Sequence, residues 1–201
     1  MINEITVDED ILKFLRAIYF GTYKDIYEAA SNRAYLDMNR TLRFNGMADS
    51  KRKDLRDIVS ATLKKEIKGL KNSNVKGQEE FDEWHKSVCV KIQKKYTKTG
   101  TTFTIGQSQK WINMMFKYLY MLGDKELLGI FKYLHVPLDN YVFKIAHQEY
   151  GIKKPSIAWS KWENYEEQYL KYQKELRGKI NGQDPLRWEF EYWLKAAREY
   201  K

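Results

Sequence analysis

The sequence predicts an all-α fold, and three observations carry that expectation. Apolar residues recur at three- and four-residue steps almost from end to end, the spacing of one face of a helix. Hardly any segment alternates with the two-residue period of a strand. Gly and Pro are scarce, at 11 and 3 of 201 residues, while 43% of the chain is hydrophobic and 31% charged, which is a globular balance rather than a disordered or fibrous one. A chain of this length buries roughly 70% of the surface it exposes unfolded, so it builds a core without staples. A single domain over 1–201, of about eight or nine helices, is expected.

The first helix is expected from Asp8 to Phe20, burying Ile11, Leu12, Leu15 and Ile18 and stopped by Gly21. A second runs from Tyr23 to Phe44, with Ile26, Tyr27, Ala30, Ala34, Met38 and Leu42 on one stripe, and the Asn45-Gly46 pair ends it in a left-handed turn. A third spans Ser50 to Leu70 with Leu55, Ile58, Val59, Thr62, Leu63 and Ile67 inward. A fourth, Gln78 to Tyr96, lines up Phe81, Trp84, Val88, Ile92 and Tyr96. The Thr- and Gly-rich stretch after it makes 97–104 the place where a boundary between two lobes, and a cleft, would fall.

The pattern resumes after Gly106 with Trp111, Met114, Met115, Tyr118, Leu119 and Leu122 on one face, ended by Gly123. A shorter helix is expected over Lys125 to Leu134. Pro137 then holds the chain extended, and Asp139 is placed to cap a helix from Asn140 to Tyr150. A loop around Pro155 leads to Lys161 to Ile180, and the last helix, Pro185 to Glu199, opens with Asp184 before a proline at its first position.

Several function classes are excluded. Cys89 is the single cysteine, so there is no internal disulfide framework and no cysteine-built zinc cage; as a residue of a helical stripe it reads as a buried structural thiol. His85, His135 and His147 form no metal-spaced pair, and neither a metal nor a cofactor is expected. No Gly-rich phosphate loop or GxGxxG is present. The arginine followed closely by histidine that small helical ribonucleases use is missing too. No apolar run approaches the ~20 residues of a membrane span, and Met1 to Asp10 lacks the order of a signal peptide. The expectation is a soluble, cytoplasmic protein with no membrane partner.

Charge points to a partner. Lys and Arg outnumber Asp and Glu by 36 to 27, a net charge of +9, which favours polyanions. The excess is clustered: eight basic against three acidic residues from Lys51 to Lys71, and five lysines with no acid from Lys86 to Lys98. Lys51, Arg52, Lys53, Arg56, Lys86, Lys91, Lys94, Lys95 and Lys98 are therefore the candidate contacts to a nucleic-acid backbone; a solvated helix face gives the same pattern. Aromatic residues, 15% of the chain, add rings able to stack on bases.

One segment carries a resemblance. Val136-Pro137-Leu138-Asp139-Asn140-Tyr141-Val142-Phe143-Lys144-Ile145-Ala146 resembles the aspartate-bearing segment of the helix-hairpin-helix DNA glycosylases, notably their 8-oxoguanine branch. More loosely, Thr104-Ile105-Gly106-Gln107-Ser108-Gln109-Lys110 is similar to the hairpin that leads into the helix bearing the catalytic lysine. The stretch from Pro185 to Leu194 is faintly similar to the closing helix of the archaeal 8-oxoguanine branch. The resemblance implies a DNA glycosylase with AP lyase activity acting on duplex DNA. Such an enzyme flips a base out of the stack and attacks the anomeric carbon with a lysine amine, assisted by an aspartate. Lys110 would be the nucleophile and Asp139 its partner, with Gly106, Gln107 and Trp111 as substrate contacts. Two features depart from the pattern: Gly106 stands without a second glycine, and 29 residues separate Lys110 from Asp139, an interval closer to the archaeal branch. Lys117, seven residues after Lys110 on the same helical face, is a rival nucleophile. Two other readings stand beside this one. One is a non-catalytic basic helical module that binds nucleic acid, from a mobile element or defence system; the other is an interaction domain using the aromatic C-terminal helices.

Overall fold

The computed structural model describes residues 8–198, and among them all regular structure is helical. Eight α-helices follow one another: α1 (Glu9–Phe20), α2 (Ile26–Met38), α3 (Asp49–Asn72), α4 (Gln78–Thr97), α5 (Ile105–Met121), α6 (Asn140–Tyr150), α7 (Lys171–Lys179) and α8 (Pro185–Arg198). The helix end expected at Glu199 lies outside the described residues. Side-chain caps set several starts: Asp25 accepts from the Tyr27 N–H, Asp139 from those of Tyr141 and Val142, and Thr104 with Gln107 forms a reciprocal capping box. Gly151 ends α6 at φ 67°, a left-handed C-cap that suits glycine.

α5 is the axis of the fold. It packs against α2 and α4, while α3 lies against α2 and α4, and α6 against α8. From Ile105 to Phe116 every residue of α5 is buried, including Gln107, Ser108, Gln109, Lys110 and Asn113. A helix enclosed on all sides is usually apolar all round, so these polar side chains need internal partners. The apolar core includes Ile92 and Tyr96 before the 97–104 connection, Phe103 within it and Ile105 after it.

Five sequence expectations are corrected. Ile11, Leu12, Leu15 and Ile18, expected inward, are 52%, 41%, 53% and 66% exposed. α1 meets the body through its last turn, where Tyr19 and Phe20 pack edge-on against Tyr118, so amphipathicity without a facing element leaves the apolar stripe outside. Ile58 is likewise exposed. The second helix stops at Met38 and gives way to a 3-10 turn, Asn39–Thr41, where the Thr41 hydroxyl donates to the Met38 carbonyl and replaces a helical donor. Lys125 to Leu134 forms two 3-10 turns, Lys125–Gly129 and Phe131–Tyr133, because Asp124 caps the first and Gly129 interrupts. Finally, Lys161 to Ile180 is not one helix. Asn164 accepts from the Glu166 and Glu167 N–H groups and starts a π-helical stretch, Tyr165–Leu170, that continues into α7.

Candidate active site

The site is built where α5 meets the turn before α6. Lys110 is 4% exposed, and lysine is almost never buried unless paired. Its Nζ lies 2.6 Å from Asp139 Oδ2 and 3.4 Å from the Pro137 carbonyl, the length of a charge-assisted bond in the first case. Asp139 divides its two oxygens between two tasks. Oδ1 caps α6, accepting from the Tyr141 and Val142 N–H groups at 2.9 and 3.0 Å, which leaves Oδ2 for the lysine. Burial pushes the Asp139 carboxyl up, but the Lys110 ammonium and the two N–H donors outweigh it and hold the group below the ordinary carboxylate range. The aspartate side chain is 22% exposed, so the pair has one wet side.

Lys117 does not face Asp139. One α5 stripe carries Lys110, Met114 and Lys117 at four- and three-residue spacing, and at its far end Lys117 Nζ reaches Glu189 Oε1 on α8 at 2.6 Å. That ammonium also lies over the Phe190 and Trp193 rings, 5.1 and 5.9 Å from their centroids. Glu189 is buried, and its Oε2 has no hydrogen-bond partner. Trp193, 39% exposed, and Tyr141 stand 6.3 Å apart at the border of this wall.

The three expected substrate contacts are placed otherwise, each held by packing or by internal hydrogen bonds. Gly106 donates its N–H to the Trp162 carbonyl at 3.0 Å, and a Cβ there would stand 1.6 Å from the Trp159 carbonyl oxygen. Glycine is required for this close approach rather than for a ligand. Gln107 spends its amide on the capping box and on Thr41. Trp111 is fully buried, 5.0 Å from Tyr35, and donates to Ser31. None of the three offers surface to a ligand in this structure.

The candidate backbone cations divide. Arg52 pairs with Asp49, Lys53 and Arg56 with Asp57, Lys86 with Glu166, and Lys91 with Glu66. Lys51, Lys94, Lys95 and Lys98 have no ion-pair partner among the described residues. A groove of about 730 Å³ runs between the 44–48 turn, the start of α3 and the Thr99-Gly100 loop; Lys51 borders it, whereas Lys110 and Asp139 do not.

Sequence reasoning missed Glu189 and a buried polar network behind the pair. His135 Nε2 meets Asp82 Oδ1 at 2.8 Å, and its Nδ1 meets the Tyr169 hydroxyl at 2.8 Å. The same hydroxyl accepts from Asn113, whose Oδ1 lies 3.0 Å from His85 Nε2. Burial lowers the pKa of both histidines, so each is a neutral ring whose tautomer its neighbours select. The signal available in the sequence was Gln109 and Asn113, amides set four apart in an apolar helix.

No helix among the described residues is long and apolar enough to cross a membrane. Comparison with protein-family models, with curated proteins and with solved structures finds no match to this chain.

Proposed function

We propose that the chain is a DNA base-excision enzyme of the glycosylase and AP lyase type, with Lys110 as nucleophile and Asp139 as its partner. The observation that carries this reading is the buried lysine 2.6 Å from a carboxylate whose other oxygen is pinned by a helix start. Fixed geometry of this kind is what nucleophilic catalysis by an amine requires. In the step, the neutral amine of Lys110 bonds to C1′ of an extruded nucleotide while the glycosidic bond breaks, and the base leaves with the electron pair and takes up a proton. The ammonium proton is transferred before attack, with Asp139 Oδ2 its nearest acceptor. A carboxylate with a lowered pKa is a weak proton store but a good counter-charge, and it stabilises the cation that develops on the sugar. The sugar ring then opens: the C1′–O4′ bond breaks, O4′ takes up a proton and becomes a hydroxyl, and the nitrogen lone pair forms the C=N of a Schiff base on Lys110.

Duplex DNA is the partner, reached through the unpaired Lys51, Lys94, Lys95 and Lys98, and binding is therefore expected to weaken steeply with salt.

Borohydride trapping on short duplexes carrying 8-oxoguanine or an abasic site tests the proposal. A covalent adduct is expected for wild type and for Lys117→Gln, and none for Lys110→Gln; Asp139→Asn is expected to slow it by about 10³-fold or more. Circular dichroism checks that each variant is folded. Absence of an adduct and of base release on every substrate, with DNA binding intact, would overturn the catalytic reading and leave a nucleic-acid-binding module.

A further inference from the structure

The 136–138 segment before Asp139 has no regular secondary structure, yet its backbone N–H and carbonyl groups are engaged, and the partners are side chains. Gln173 of α7 pairs with Val136 in both directions: its amide donates to the carbonyl at 2.6 Å and its Oε1 accepts from the N–H at 3.3 Å. Gln109 of α5 repeats the arrangement at Leu138, donating at 3.1 Å and accepting at 3.3 Å. Asn113, one turn along α5, donates to the Val136 carbonyl and to Gln109 Oε1. Pro137 has no N–H, and its carbonyl receives Lys110 Nζ. Each glutamine thus stands in for the neighbouring strand that would otherwise satisfy an extended backbone.

We propose that Gln109 is a positioning residue that sets the approach of Asp139 to Lys110; this rests on the base-excision reading above. Gln109 precedes Lys110 on a fully enclosed helix, and Leu138, which it grips, precedes Asp139. The two covalent links, the amide pair and the Lys110–Asp139 contact close a small ring of contacts. Opening that ring at the amide leaves the carboxylate located by its cap and by the lysine alone. Gln173 makes the same number of bonds to the same turn but two residues further from Asp139, at Val136. Both amides are buried, 0% and 3% exposed, so removing either strands comparable backbone groups. Gln173 is therefore the internal control for a purely structural loss.

The test compares Gln109→Met and Gln173→Met, which keep length and shape and lack the amide. Two quantities are read well below both unfolding temperatures: the single-turnover trapping rate alongside the duplex Kd, and the titration of the Asp139 carboxyl by carbon-13 NMR. Gln109→Met is expected to slow trapping by about a hundredfold, as a 1 Å misplacement can, with Kd unchanged, and to move the Asp139 titration up toward the ordinary 3.8. Gln173→Met is expected to leave both near wild type at a similar cost in stability. Equal effects of the two variants, or none for Gln109→Met, would overturn the proposal. If wild type forms no adduct, the base-excision reading falls, and the Asp139 titration alone decides whether Gln109 sets the pair. Should Gln109→Met fail to fold, Gln109→Asn, one methylene shorter, is read in the same way.

Discussion

The separate losses of the Lys110 and Asp139 charges should sum to far more than the loss of both together. Asp139→Asn keeps an oxygen that can cap α6, as asparagine caps as well as aspartate does, but leaves the Lys110 ammonium, with a side chain 5% exposed, facing a neutral amide. Stranding a buried charge costs about 3 to 5 kcal/mol, and the partly wet aspartate side places this case near about 3 kcal/mol. Lys110→Met leaves the carboxylate with two backbone N–H donors and some solvent, a loss of about 2 kcal/mol. Additive losses would give about 5 kcal/mol for the double variant. Because both charges are then absent while the cap survives, about 2 kcal/mol is expected instead, a coupling of about 3 kcal/mol. Urea denaturation measures it: at a slope of about 2 kcal/mol per M, the double variant unfolds about 1.5 M later than additivity predicts. An additive double variant would refute the argument that the pair is desolvated and mutually dependent. Asp139→Ala, which also loses the cap, should fall about 1 kcal/mol below Asp139→Asn.

Other outcomes follow from the same structure. Gly106→Ala places a Cβ 1.6 Å from the Trp159 carbonyl oxygen, so the α5 start and the Trp159–Lys161 turn must separate; a loss of about 3 kcal/mol is expected by thermal melting, and an unchanged melting temperature would disprove the close approach. His85 and His135 are buried with lowered pKa values, so the unfolded chain binds protons that the fold does not. Their contribution is present above the ordinary value of 6.5 and is lost as pH falls through that value toward their lower folded ones. Stability should thus decline as pH drops below 6.5, with the nitrogen-15 shifts of both rings titrating below that value; a ring that titrates at or above 6.5 would be inconsistent with the network. Asp139 acts at the acid end: its lowered pKa gives stability that is full above 3.8 and lost as pH falls below that value toward its folded pKa. Asp139→Asn should flatten that part of the curve.

Helix starts were the most legible feature, since a cap is a local chemical event. Asn140–Tyr150 is predicted to the residue because Pro137 forbids helix before Asp139, and Asp139 supplies the acceptor that starts it. Helix interiors were less so. The stripe of α1 carries a helical period as regular as that of α4, yet α4 is covered and α1 is not, because period reports amphipathicity and says nothing of what lies opposite. Asn164 and Gln168 break the long C-terminal helix by binding backbone N–H groups, a competition that the apolar spacing of Trp162, Tyr165, Tyr169 and Tyr172 conceals.

By itself, then, the sequence determined an all-α chain, the cap at Asp139, a lysine-rich surface and two candidate lysines on one face of a helix. Tertiary structure decided which lysine meets the aspartate, and it did so through buried amides whose spacing in the sequence does not announce that role. Lys110 reaches Asp139 because Gln109, Gln173 and Asn113 hold the 136–138 turn against α5, whereas Lys117 is drawn to Glu189, 72 residues away. Periodicity encodes one helix at a time, while an ion pair depends on the angle and register at which two elements pack.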